Sequence, residues 1–241
     1  MKNTFQLSLI ILLIFSINTF SQTKDTFTDP RDNKTYNTVQ IGNQIWMAEN
    51  LKFWVPEDSP YYIGESVFYE GIQECGIKYG RLYQWETACK ACPENWHLPT
   101  INEWLNLLNH YGLIFVEDYE TQTIRALRKL PKEERKARKE LIKRAFTNFA
   151  EGGESGLNVL YGGYLNLGGP GPYSDKGTVA RFWSSSDDVT YGVLKKSKAE
   201  GIKFVKWGKS FSPWPFGKTW YCSVRCIKDA DKIETEGMNQ E

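Results

Sequence analysis

Five cysteines carry most of the chemistry that this 241-residue chain could perform: Cys75, Cys89, Cys92, Cys222 and Cys226. Cys89-Lys90-Ala91-Cys92 has the two-residue spacing shared by zinc knuckles and redox motifs. A knuckle needs a second pair at matching spacing, whereas three residues separate Cys222 from Cys226, and the two histidines, His97 and His110, show no ligand spacing. A thioredoxin-like site requires a strand–helix–strand setting that the flanking residues do not provide. Nucleophilic catalysis would want a base beside the thiol, and the sequence puts neither histidine there. Asp187-Asp188, after a run of serines, is the nearest approach to an acidic cluster, and it reads as a turn rather than as a cation site. The expectation is therefore no cofactor, no metal and no catalysis.

The first residues decide how the thiols are read. Lys2 precedes the apolar run Leu7–Phe15, which is too short to span a bilayer, and Thr19-Phe20-Ser21 supplies small residues for a cleavage site. Residues 1–21 are expected to be a signal peptide cut after Ser21, leaving no membrane span and a secreted or periplasmic protein. In an oxidising compartment cysteines are read as bridges before they are read as metal ligands or nucleophiles. Cys92–Cys226 is the favoured bridge, because it would tie the middle of the domain to its last strand. Closing a loop of that length stabilises by about 4 to 5 kcal/mol on the chain-entropy model. A second bridge could join Cys89 to Cys222 or Cys75 to Cys89, and the spacing leaves both open. The remaining cysteine would be a free thiol or an intermolecular link.

The aromatic content is heavy, with 9 Trp, 13 Tyr and 13 Phe, which suits a loop-rich core or a binding face. Trp46, Trp96 and Trp104 are assigned to the core. Trp183, Trp207, Trp214 and Trp220, together with Tyr173 on a glycine-rich loop, are the candidates for ligand contact, since exposed indole and phenol rings stack on sugar faces. A formal net charge of +1 gives no reason to expect nucleic acid or an anionic membrane as partner.

Those rings must be positioned by short elements. Tyr36–Ile41 alternates with period two, Gly42-Asn43 is turn chemistry and Gln44–Met47 returns, which predicts a β-hairpin. Residues 53–80 show no period and are expected to be irregular. A short helix is expected around residues 83–88, ending before Pro93. Thr100 can cap a second helix whose third residue, Glu103, completes a capping box and whose Trp104, Leu107, Leu108 and Tyr111 share a face, with Gly112 as the stop. Residues 113–155 read as a basic helical insertion. Between residues 124 and 146 ten Lys and Arg face three Glu, Ile124, Leu127, Leu141 and Phe146 give a weak apolar face, and Pro131 starts a second helix. Short strands and glycine turns follow, ending in a last strand over residues 220–227, and residues 230–241 read as a disordered tail.

Several blocks now fall in order: Thr28–Tyr36, Ile41–Leu51, Tyr79–Tyr83, Cys92–Thr100, Gly162-Gly163-Tyr164, Phe182–Ser186 and Ser223-Val224-Arg225-Cys226. Together they closely resemble the Fibrobacter succinogenes major paralogous domain, a family of exported bacterial proteins, over nearly all of residues 26–229, within a domain taken as 22–229. That family in turn resembles the C-type lectin-like fold shared with formylglycine-generating enzymes, on the strength of the Trp-His-Leu-Pro-Thr segment leading into a helix and the closing Val-Arg-Cys strand. The resemblance implies an α+β domain: a twisted antiparallel sheet with two helices and long loops, here carrying the basic insertion. It also implies an exported non-catalytic module that recognises a glycan or a protein outside the cytoplasm. A structural or assembly component of the cell envelope, docked by the basic helices, is the alternative. A formylglycine-generating oxidase is the least favoured reading: Cys222 and Cys226 resemble its cysteine pair only superficially, and its copper and substrate residues find no match. The Glu-Pro-Asn and Trp-Asn-Asp triplets of calcium-dependent lectins are absent.

Overall fold

Period-two burial over Thr35–Ile41, with Tyr36, Val39 and Ile41 inside, makes that segment a strand with one covered face. The computed structural model describes residues 24–54, 56–58, 66–111, 131–169, 171–187 and 197–230. The expected signal peptide, Gly112, the first part of the basic insertion with Ile124 and Leu127, Asp188 and all of the tail beyond Ala230 lie outside the described residues. Strand β1 (Lys24–Thr28) pairs antiparallel with β2 (Thr35–Ile41), and Gly42-Asn43 returns the chain as β3 (Gln44–Met47), the hairpin expected from the sequence.

Residues 66–80 correct the expectation of an irregular segment. They hold strand β4 (Ser66–Val67), a 3₁₀ turn over Tyr69–Gly71 and helix α1 (Gln73–Tyr79). α1 is built to hide its pattern: Ile77 is exposed, and the mid-helix Gly76 leaves room for the Phe68 ring, which a Cβ there would meet at 2.1 Å. Strand β5 (Leu82–Tyr83) leads into α2 (Trp85–Ala91), and α3 (Ile101–His110) follows. The α3 capping box is present. The Thr100 side chain accepts from the Glu103 N–H, and the Glu103 carboxylate accepts from the Thr100 N–H at 2.7 Å, from His97 at 3.0 Å and from Gln44 at 3.0 Å. Burial pushes the Glu103 carboxyl up, but these bonds outweigh it and hold it below its ordinary value. Pro131 does start a helix, α4 (Lys132–Phe149), whose last turns bury Ala145, Phe146 and Phe149 while its first two turns stay in solvent. Phe149 packs edge-on against Tyr111 and Phe204, so the basic helix is bolted to the core at one end. The described residues thus contain four α-helices where two, plus an insertion, were expected.

Strands β6 (Tyr164–Leu165) and β7 (Tyr173–Ser174) form a small ribbon. Gly163 enters it at φ +70, where a Cβ would lie 2.4 Å from the Ser174 carbonyl, so only glycine fits. Three long antiparallel strands follow, β8 (Val179–Asp187), β9 (Lys198–Val205) and β10 (Ser210–Gly217), then β11 (Cys222–Ser223) and β12 (Ile227–Asp229). Two main sheets result, β1-β2-β3-β12 and β10-β9-β8-β11-β5-β4. The architecture is α+β. Where the β8–β9 ladder is interrupted after Trp183, the serine run links β8 to the start of α3. Ser185 N–H donates to the Pro99 carbonyl at 2.9 Å, and Ser186 Oγ accepts from the Ile101 N–H at 3.0 Å.

The end of the chain differs from the single last strand expected over residues 220–227. It is cut in two: β11 belongs to the large sheet and β12 to the small one, and Val224-Arg225-Cys226 crosses between them. Met47 N–H donates to the Cys226 carbonyl at 3.0 Å and Leu51 N–H to the Val224 carbonyl at 2.9 Å, so the crossing is still backbone-paired. Arg225 is completely buried in it. The Cys92–Cys226 bridge is formed, at a sequence separation of 134. The second bridge does not form, and Cys75, Cys89 and Cys222 are free. Cys222 is sealed in the core on β11, where burial pushes its thiol up, whereas Cys89 is exposed on α2.

Replacing Cys92 and Cys226 together by Ala is expected to lower the unfolding free energy by about 4 kcal/mol, read from the urea midpoint. Peptide mapping of the unreduced wild-type protein should show that bridge alone, with Cys75, Cys89 and Cys222 alkylated after unfolding. A second bridge in the map would contradict the structure.

Candidate functional site

Strands β8, β9 and β10 pair in a register that sorts their side chains onto two faces. One face carries Ala180, Phe182, Ile202, Phe204 and Phe211 into the core beneath α3 and α4. The other is ordered in cross-strand rows. Arg181 stands opposite Lys203, which stands opposite Ser212, and in the next row Trp183 faces Gly201, which faces Trp214. Trp183 is covered by Phe216 at 5.5 Å, and Gly201 leaves the space for it, since a Cβ there would meet the Phe216 ring at 2.5 Å. On the edge strand the end of the row is half open, and Trp214 is 50% exposed.

The charges on this second face are unevenly matched. Arg181 Nη1 donates to Asp175 Oδ2 at 2.8 Å, and its guanidinium lies 3.8 Å from the Tyr164 ring centroid. Tyr164 packs on Trp220 at 5.1 Å, and Trp220 stacks on Phe216 at 6.2 Å. Lys203 lies half-buried directly across from Arg181, with its ammonium 4.3 Å from the Trp214 ring centroid and no carboxylate in ion-pair contact among the described residues. Burial, and then the Arg181 charge, depress its pKa below the ordinary lysine value, with Asp175 pulling the other way. The result is a ring platform with a partly desolvated cation over one side of it.

Of the residues singled out from sequence, Trp214 and Trp220 belong to this face. Trp207 stands at the tip of the β9–β10 turn, 84% exposed. Tyr173 packs on Tyr69 at 5.0 Å in a separate cluster with Leu82, Leu165 and Tyr221. Trp183 must be withdrawn as a ligand contact: it is 0% exposed, and its indole N–H donates to the Tyr83 carbonyl at 2.7 Å, which satisfies it as a core residue. Lys203, Arg181, Tyr164 and Asp175 were not picked out by sequence reasoning. The signal was the two-residue alternation of Arg181 with Trp183, which names a face only once the strand pairing is known.

The other candidate chemistry does not converge. Cys226 is spent in its bridge, so Cys222 and Cys226 do not form a dithiol. Asp187 is paired with Lys218 at 2.5 Å, and that ammonium lies 4.1 Å from the Trp85 ring centroid. Among the described residues no group of three or more His, Cys, Asp or Glu could hold a metal ion, and no helix is long and apolar enough to cross a membrane.

The chain belongs to the family described as the Fibrobacter succinogenes major domain, whose model matches residues 39–228, a span that contains the whole face on β8–β10. No curated protein and no solved structure matches the chain.

The two tryptophans of the row make opposite predictions for stability. Trp183→Ala should cost about 3 to 5 kcal/mol in urea unfolding, whereas Trp214→Ala should stay within about 0.5 kcal/mol of wild type. Equal losses would mean that Trp214 is a packing residue.

Proposed function

We propose, from this membership and the geometry of the Trp214 face, that the protein is an exported non-catalytic module that binds a glycan or a protein outside the cytoplasm. The single observation that carries the reading is Trp214 itself. A large ring lies half in solvent on the edge strand β10, flanked by Pro213 and Pro215 and backed by the Lys203 ammonium. Prolines on an edge strand remove outward N–H groups and discourage strand addition, so β10 offers side chains rather than backbone. A ring presented in that way is suited to stacking on a flat partner.

Export is part of the proposal. It rests on the family, on a formed long-range disulfide of the kind that persists in oxidising compartments, and on the signal-like first residues. The lectin-like assignment of the fold belongs to the same reading. It is supported by the antiparallel β8–β10 strands, by α2 and α3 packed on β8, and by the two ends of the domain paired in one sheet. The non-catalytic part is supported by the commitment of Cys226 to its bridge and the burial of Cys222.

A second reading, a cell-envelope component docked by its basic helix, is favoured by one observation. Lys132, Lys136, Lys139 and Lys143 repeat at helical spacing along α4 and are all exposed, and among the described residues only Lys143 of the four is in an ion pair, to Glu140 at 2.7 Å.

Arrays of glycans and of envelope proteins, probed with wild type and with Trp214→Ala, test the first reading against the second. Binding that survives chelator and weakens at least about tenfold in Trp214→Ala is expected. Binding indifferent to Trp214 but lost when the four α4 lysines become Gln would reject the Trp214 face in favour of the docking helix.

A further inference from the structure

We propose that the ligand of the Trp214 face is an acidic saccharide, with Lys203 taking its anionic group while the sugar ring stacks on Trp214. The inference deepens the preceding proposal and rests on it. Its carrying observation is the row Arg181–Lys203: two cations stand directly opposite each other on paired strands, and the carboxylate that acts on both, Asp175, is ion-paired with Arg181. Like charges placed directly across an antiparallel pair destabilise a sheet unless something offsets them. Among the described residues Lys203 has no ion pair of its own: Asp175, already engaged by Arg181, acts on it without contact, the indole of Trp214 lies 4.3 Å from its ammonium, and a second cation on a half-buried face is a standing attraction for an anion.

The same atoms argue for a sugar rather than a peptide. An acidic peptide would find its main affinity by adding a strand to the sheet edge, and on β10 Pro213 and Pro215 withhold the donors that such pairing needs. A uronate or sulfated sugar asks for no backbone partner. It presents an apolar C–H face for the indole and, on the same ring, an anion within reach of an ammonium that already sits beside that indole. Ser212, next in the Lys203 row, adds a hydroxyl to the same surface.

The full-length mature protein should be titrated calorimetrically with polygalacturonate, alginate and chondroitin sulfate, and in parallel with fully methyl-esterified polygalacturonate, dextran and polyglutamate. Binding to at least one acidic polysaccharide is expected, weakening as NaCl rises, with esterification of the polymer or Lys203→Gln costing about tenfold in affinity and Lys203→Arg retaining most of it. Trp214→Ala should abolish the same binding, and thermal melts of Trp214→Ala and Lys203→Arg should match wild type while that of Lys203→Gln matches or exceeds it, the like-charge pair having been removed. Equal affinity for the methyl ester, or a Lys203→Gln variant that binds as wild type while Trp214→Ala does not, would overturn the acidic ligand and leave the Trp214 face standing. Binding to polyglutamate alone would overturn it in favour of an acidic peptide. No binding to any of these polymers would also overturn it, and the array experiment would then decide the wider reading.

Discussion

The fold turns on a buried cation with no counter-ion in contact among the described residues. Arg225, completely enclosed, donates from Nη1 to the carbonyls of Met47, at 3.0 Å, and Leu157, and from Nη2 to Asn50 Oδ1 at 2.5 Å and the Asn158 carbonyl at 3.2 Å. Among the described residues its Nε finds no partner, and its guanidinium lies 5.4 Å from the Phe182 ring centroid. Burial lowers its pKa to about 9, with Glu49 pulling the other way, so the group remains charged at neutral pH. Burying a charge is costly unless its hydrogen bonds are satisfied, and here four neutral oxygens from two separate segments, residues 47–50 and 157–158, do that work. A lysine could not reach them, because the planar fork of the guanidinium is what spreads the donors.

Geometry follows from that joint. Val224-Arg225-Cys226 carries the chain from the large sheet to the small one, and the residue after Arg225 is locked to Cys92 at the end of α2. Two residues before Arg225, Ser223 pairs parallel with Phe182 in β8. Phe182 separates Arg181 from Trp183, so the strand that presents the Arg181–Lys203 row is held along its edge opposite β9 by the same segment that closes the domain. The face of β8–β10 proposed to bind a ligand therefore sits on a fixed scaffold, and α4 adds to it through the packing of Phe149 on Phe204 and Phe211.

What could be read from the sequence was local. The Gly42-Asn43 turn, the Thr100–Glu103 capping box and the helix start at Pro131 announce themselves within a few residues, because turn and cap chemistry is local. The Cys92–Cys226 bridge was also legible, once oxidising conditions were expected. Burial of every residue from Tyr221 to Ile227 looks like one continuous strand; only the pairing partners of β11 and β12 reveal that the chain changes sheets, and Arg225 in the midst of that run was the residue out of place. Trp183 and Trp214 carry the same side chain in similar strand contexts. They differ because Phe216 and Tyr83 come from elsewhere to close over one and the other is left half open, and Lys203 matters only through its cross-strand neighbours.

The unfolding free energy of Arg225→Met, measured in urea alongside native-state hydrogen exchange, tests the central role of the buried guanidinium most directly. Removing it leaves four buried or half-buried oxygens without donors, so a loss of about 3 kcal/mol or more is expected, with protection falling together at Met47 and Leu51 in the region of the small sheet and at Ser223 in the large one. A variant as stable as wild type would mean that the desolvation cost of the cation cancels all it contributes, and that the two sheets are joined by packing and the disulfide alone.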